Sequence, residues 1–153
     1  MDWKVEVIVV PVADVDRAKE FYAGKLGFHV DVDDSPVPNF RVVQMTPQGS
    51  GCSVTIGQGL TEMTPGTLQG VQICVGDIEA AHAQLVAAGV DVTPIRNMGA
   101  DGWQDGKGGE WNSFCFFKDP DGNGWAVQES PTIRAAEAAA AEAADAGTVA
   151  SHA

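Results

Sequence analysis

Apolar residues in this chain fall into short β-branched runs followed by stretches of helical spacing, and the pattern occurs twice. VEVIVVPVADVDRAKEFYAGKLGF runs from Val5 to Phe28, and GVQICVGDIEAAHAQLVAAGV runs from Gly70 to Val90. Each copy has a Val-rich run that reads as a strand and then V-x-D, at Val12/Asp14 and Val75/Asp77. The aspartates are natural N-caps, because a short carboxylate accepts from the free N–H groups of a first helical turn. Val15, Ala18, Phe21 and Tyr22 then follow at helical spacing, as do Ile78, Ala81 and Leu85. A glycine, Gly27 or Gly89, closes each helix.

More strands follow in each copy. FRVVQMTP (Phe40 to Pro47) and GCSVTIG (Gly51 to Gly57) complete the first unit, and NSFCFFKD (Asn112 to Asp119) and GWAVQE (Gly124 to Glu129) the second. The DPDGNG between the last two reads as a hairpin connection: Pro120 presets φ, and Asp-Gly-Asn-Gly accepts the positive φ such turns need. It lacks the DxDxDG spacing and closing glutamate of a calcium loop. The expected organisation is two modules, residues 1–62 and 68–130, within one compact domain. Beyond them, the Ala-rich tail 131–153 is expected to form a marginal helix ending near Gly147, then a disordered end.

Composition narrows the partners. The net charge is -12, from 9 Lys+Arg against 21 Asp+Glu, which disfavours nucleic acid and anionic membrane. Most of this acidity reads as solvated surface; it favours a cationic ligand only where acids line a site. No basic segment followed by an apolar run opens the chain, and Val7 to Ala13, interrupted by Pro11, is too short to span a bilayer, so a cytoplasmic protein is expected. Cys52, Cys74 and Cys115 are scattered without CxxC spacing and are expected to be buried small hydrophobes. His29, His82 and His152 show no ligand spacing, with His82 expected on the outer side of the second helix.

With two βαβββ units, V-x-D at each helix start and DPDGN before the last strand, residues 4 to 130 resemble the vicinal oxygen chelate superfamily of glyoxalase I, bleomycin resistance proteins and extradiol dioxygenases. The resemblance implies an α+β fold in which the two modules form an open, cupped mixed sheet, often completed in a homodimer. Enzymes of the group hold a divalent metal through four strand positions, which the resemblance carries onto Val7, Gly70, Ala126 and a position near Ser53. Val, Gly and Ala offer no donor and one hydroxyl is a poor substitute, so no metal and no cofactor are expected. A one-residue change of register would turn Glu6 or Glu129 inward instead.

If Val7, Gly70 and Ala126 mark the inward face, alternation adds Val5, Val9, Gln72, Cys74 and Gln128, with Gln44 a further candidate. Each glutamine reads either as a strand neighbour's hydrogen-bond partner or as an amide that orients a ligand in an apolar site. The seventeen residues Arg96 to Asn112 are Gly-rich, without periodicity, and carry Trp103 and Trp111. They lack the spacing of a phosphate loop and read as a ligand-binding lid, or as a loop whose tryptophans pack back on the sheet. Trp125, alternating with Ala126, is expected to face the other way, under the helices. The preferred function is binding of a small, partly aromatic or amphipathic molecule through Gln44, Gln72, Trp103, Trp111 and Gln128, as in sequestration or resistance. The alternatives are a metal-dependent lyase, isomerase or dioxygenase with shifted ligands, and a structural or regulatory subunit.

Overall fold

The computed structural model describes residues 1–150. Among them the fold is α+β, with strands β1 (Val7–Val9), β2 (His29–Val37), β3 (Phe40–Thr46), β4 (Ser53–Gln58), β5 (Val71–Val75), β6 (Arg96–Gly99), β7 (Gly102–Asp105), β8 (Phe114–Lys118) and β9 (Gly124–Glu129). The helices are α1 (Val15–Lys19), which continues as a π-helix over Glu20–Lys25, α2 (Ile78–Ala87) and α3 (Pro131–Ala150). One sheet has the order β1-β4-β3-β2 and the other β5-β9-β8-β6-β7. Two compact units are present: Met1–Val71 with Leu85–Asp91 and Phe117–Trp125, and Gln72–Gln84 with Val92–Phe116 and residues 126–150.

The local signals act as the sequence predicts. Asp14 has extended backbone and accepts from Arg17 N at 3.0 Å, while Asp77 accepts from Glu79 N at 2.9 Å and Ala80 N at 3.0 Å. Both helix stops are left-handed glycines, Gly27 with φ 72° and Gly89 with φ 71°, a conformation that costs glycine nothing. In the first unit, alternation on β3 and β4 buries Val43, Met45, Val54 and Ile56 on one face. Ala18, Phe21 and Tyr22 of the first helical segment are also buried, with the Phe21 and Tyr22 rings edge-on at 5.2 Å.

The DPDGNG turn belongs to the first unit, and its leading aspartate organises it. Asp119 Oδ1 accepts from the backbone N–H of Asp121, Gly122 and Asn123, each at 2.9 Å. Its Oδ2 accepts from Asn123 Nδ2 at 2.7 Å and from Tyr22 Oη at 2.8 Å. Trp125 Nε1 donates to the same Oη at 3.0 Å, and the indole stacks on Phe117, so Trp125 is buried. The Tyr22 hydroxyl is pushed far above its ordinary pKa, first by burial and then by the adjacent Asp119 carboxylate.

Several expectations are corrected. Arg96 to Asn112 is not structureless: Arg96–Gly99 and Gly102–Asp105 form a hairpin in which Met98 faces Trp103 and Gly99 faces Gly102. Its strands are polar and Gly-rich, so pairing rather than apolar period defines them. The nine-residue β2 is an additional strand: Val30 and Val32 alternate with Asp31 and Asp33, but Asp34 to Pro36 break the period, and this charged edge strand shifts register after Val30 and Asp34. His82 is half-buried, its Nε2 3.1 Å from the Thr93 carbonyl oxygen, rather than on the outer side of α2. The tail helix passes Gly147 and reaches Ala150; the remainder of the tail expectation, including His152, lies outside the described residues. No helix among the described residues is long and apolar enough to cross a membrane.

Candidate functional site

Alternation in the second unit sorts its strands into two faces. On β9, Val127 and Glu129 are buried, whereas Ala126 and Gln128 are half-buried on the other side. On β8, Cys115 is buried and Phe114 and Phe116 are half-buried; on β5, Gln72 and Cys74 are exposed, so of the three cysteines expected in the core Cys115 alone is buried, with Cys52 half-buried. Burial pushes the Cys115 thiol up to about 11, which keeps it protonated at neutral pH.

The more open face brings together residues singled out in the sequence. Gln72 Nε2 donates to Gln128 Oε1, and Gln128 Nε2 donates to the Trp111 carbonyl oxygen at 2.6 Å. Cys74 Sγ lies 3.9 Å from Gln128 Oε1. Trp111 has φ 61° and is 46% exposed. Trp103, 45% exposed on β7, stands edge-on to Phe114 at 5.5 Å and to Phe116 at 5.2 Å, and the two phenylalanine rings lie parallel at 6.2 Å. Each such ring contact contributes about 0.5–1.5 kcal/mol beyond area burial. Phe114 and Phe116 are absent from the sequence-based candidates; their alternation with Cys115 and Phe117 was the available signal, masked because all four residues are apolar.

The segment carrying Trp111 is held at both sides. Asn112 exchanges two hydrogen bonds with the Met98 backbone, at 2.9 and 3.0 Å, and Gly108 N donates to Ser113 Oγ at 3.1 Å. Lys107 Nζ pairs with Glu129 at 3.0 Å and with Glu79 at 3.6 Å. Glu129 also pairs with Arg134 at 2.7 Å and accepts from Ile78 N at 3.3 Å. Burial alone raises the Glu129 pKa, but Lys107, the Ile78 N–H and Arg134 outweigh it and hold the carboxyl below the usual range.

Gln44 lies in the first unit with other partners. Its Nε2 donates to Ser53 Oγ at 3.4 Å, and Ser53 Oγ is 2.8 Å from Thr46 Oγ1.

The donor set does not fit a family-type metal. Val7 and Ser53 are register partners, and the Ser53 hydroxyl is already engaged with Thr46 and Gln44. Gly70 and Ala126 contribute no donor atom. The shifted carboxylates do not repair this: Glu129 is tied to two cations on the buried face and Glu6 is exposed. No group of three or more His, Cys, Asp or Glu among the described residues is arranged to hold a metal ion. The second-unit face is instead neutral and aromatic, able to cover apolar surface and to exchange amide hydrogen bonds with a ligand.

Residues 4–127 match the model described as the Glyoxalase/Bleomycin resistance protein/Dioxygenase superfamily. The Bacillus subtilis (strain 168) protein YetH, described as uncharacterized, is 23% identical over 127 residues, spanning 82% of this chain and 98% of its own. TnmS3, an antibiotic binding protein from Streptomyces sp. CB03234, superposes with a TM-score of 0.68 at 29% identity, over 84% of this chain and 97% of TnmS3. A glyoxalase/bleomycin resistance protein from the same Streptomyces gives a TM-score of 0.66 at 30% identity, over 82% and 99% of the two chains.

Proposed function

The chain belongs to the Glyoxalase/Bleomycin resistance protein/Dioxygenase superfamily, and from that premise we propose that it binds a small, partly aromatic organic molecule without a catalytic metal. One observation carries the reading: the second unit presents Gln72 and Gln128 as a bonded amide pair beside Trp111, on a neutral face that also holds Trp103, Phe114 and Phe116. Apolar burial supplies the affinity at roughly 25 cal/mol per Å². The amides fix orientation, and Trp103 and Trp111, both part-exposed, cover the bound rings. An antibiotic-binding neighbour of the same fold supports sequestration as the role. The face itself is neutral, so the net charge of -12 acts on a basic ligand only through the overall field that draws it toward the chain.

A homodimer belongs to the same reading. β1 is an edge strand, and Trp3, Val5 and Val7 on and before it are exposed, an apolar strip that a second copy would cover.

The test is tryptophan fluorescence titrated with a panel of basic aromatic amines. Saturable quenching lost in Trp103→Ala and Trp111→Ala supports binding at this face, whereas silence across the panel favours a structural or regulatory subunit. Stoichiometric zinc, nickel, iron or manganese in protein purified without chelators would overturn the metal-free reading and favour a metal-dependent lyase, isomerase or dioxygenase.

A further inference from the structure

A backbone carbonyl fixes the polarity of the amide pair on the second-unit face. Gln128 approaches the Trp111 carbonyl oxygen at 2.6 Å, and that oxygen only accepts, so Gln128 turns its Nε2 there. Gln128 Oε1 is left facing Gln72, which answers with its own Nε2. The Gln72 Nε2 also lies 4.0 Å from Cys74 Sγ, and Cys74 Sγ lies 3.9 Å from Gln128 Oε1, so the thiol joins the inward side of the pair. Turning Gln72 over would set two oxygens against each other. Turning both amides would set Gln128 Oε1 against the Trp111 carbonyl oxygen.

The anchor of this arrangement is itself held. Asn112, next to Trp111, exchanges two hydrogen bonds with the Met98 backbone and donates its own N–H to the Gly109 carbonyl oxygen at 3.1 Å. With the Trp111 carbonyl in place, the atom of the pair left without a bond is Gln72 Oε1. It has no partner among the described residues, and Gln72 is exposed on β5, so a ligand reaches it without displacing any side chain. The aromatic rings of the same face, Trp103, Phe114 and Phe116, carry negative π surface, which attracts an N–H and repels a carbonyl oxygen.

We propose that Gln72 Oε1 sets the ligand class of this face: it selects an aromatic compound with an N–H donor, such as an aryl amine or an indole-type ring, against a ketone or quinone of the same shape. The inference rests on the binding role proposed for the face and adds its hydrogen-bond polarity. A ligand that covers Gln72 strips water from an acceptor, and only a donor replaces the lost bond; a carbonyl placed there leaves two acceptors opposed and both unpaired. Recognition is through the N–H and not through charge, so a neutral donor qualifies. Gln128 is a positioning residue in this scheme: bonded to the Trp111 carbonyl, it holds Gln72 with the oxygen free.

The test titrates the ¹⁵N-labelled whole chain with indole, which donates and does not accept, and with 1-indanone, a bicyclic ring of similar size that accepts and does not donate. Both should shift the amide signals of Gln72, Trp111 and Gln128, and indole should bind about fivefold more tightly, the worth of one ordinary hydrogen bond. Gln72→Met, of similar length and on an exposed position, should bring the two affinities together by weakening indole. Gln128→Met should narrow the preference from the other side, strengthening 1-indanone because Gln72 is then free to turn its Nε2 outward. Equal affinities in the unsubstituted chain, tighter binding of 1-indanone, or a preference that survives both substitutions would overturn the inference while leaving binding at this face intact. Absence of shifts at these residues with either probe would overturn it together with the binding role on which it rests.

Discussion

Tyr22 and Asp119, 97 residues apart in the chain, meet at 2.8 Å, the phenol donating to the carboxylate that also organises the DPDGN turn. The turn and the first helical segment are thereby joined through a single side-chain pair, with Trp125 adding a bond to the same hydroxyl.

Tyr22→Phe should therefore lower stability by about 1–3 kcal/mol, since it removes one donor from Asp119 and strands the Trp125 N–H. Urea unfolding followed by tryptophan fluorescence measures this, and an unchanged midpoint would show that water replaces the hydroxyl.

The same pair sets an alkaline limit. The Tyr22 pKa is raised in the folded state above its ordinary value of 10.0, so its contribution is present below pH 10 and is lost as pH climbs beyond it. Tyr22 is the chain's one tyrosine, so phenolate absorbance reports it directly. Phenolate should appear only together with unfolding, and Tyr22→Phe should flatten the stability curve above pH 10.

Glu129 gives the acidic counterpart. Its pKa is lowered in the folded state, so its contribution is present above the ordinary carboxyl range, near 4.5, and fades as pH falls below it. Glu129→Ala removes the partner of Lys107 and Arg134, both part-exposed, and the acceptor for Ile78 N, and should cost about 1–2 kcal/mol. Thermal melts at pH 7 and pH 3.5 test both statements; the variant's deficit should shrink at the lower pH.

Gln128→Leu should release the Trp111 carbonyl and the Gln72 amide together. Hydrogen exchange at residues 108–112 should accelerate severalfold, while β3 and β4 keep their protection. Unchanged exchange there would assign the hold on this segment to Asn112 and Lys107 instead.

Helix capping offers a check on the repeat. Asp14→Ala and Asp77→Ala should each cost about 1 kcal/mol, because each carboxylate satisfies first-turn N–H groups. A double variant should show near-additive loss in chemical denaturation.

The sequence by itself determined what depends on neighbours a few residues away. The Val-rich strands, the two aspartate caps, the left-handed Gly27 and Gly89 and the DPDGN turn each follow from local conformational preference. The family resemblance supplied the reference positions Val7, Gly70 and Ala126, and alternation from them put Gln72 and Gln128 on one face, where the two amides meet. The tertiary structure decided which side chains answer one another across long stretches of chain. That Asp119 serves Tyr22, that Trp103 stands on Phe114 and Phe116, and that Glu129 joins Lys107 and Arg134 depends on register and packing. The polar strands β6 and β7 belong to this second class as well: hydrogen bonding to a neighbour makes them strands, and no apolar period announces that neighbour.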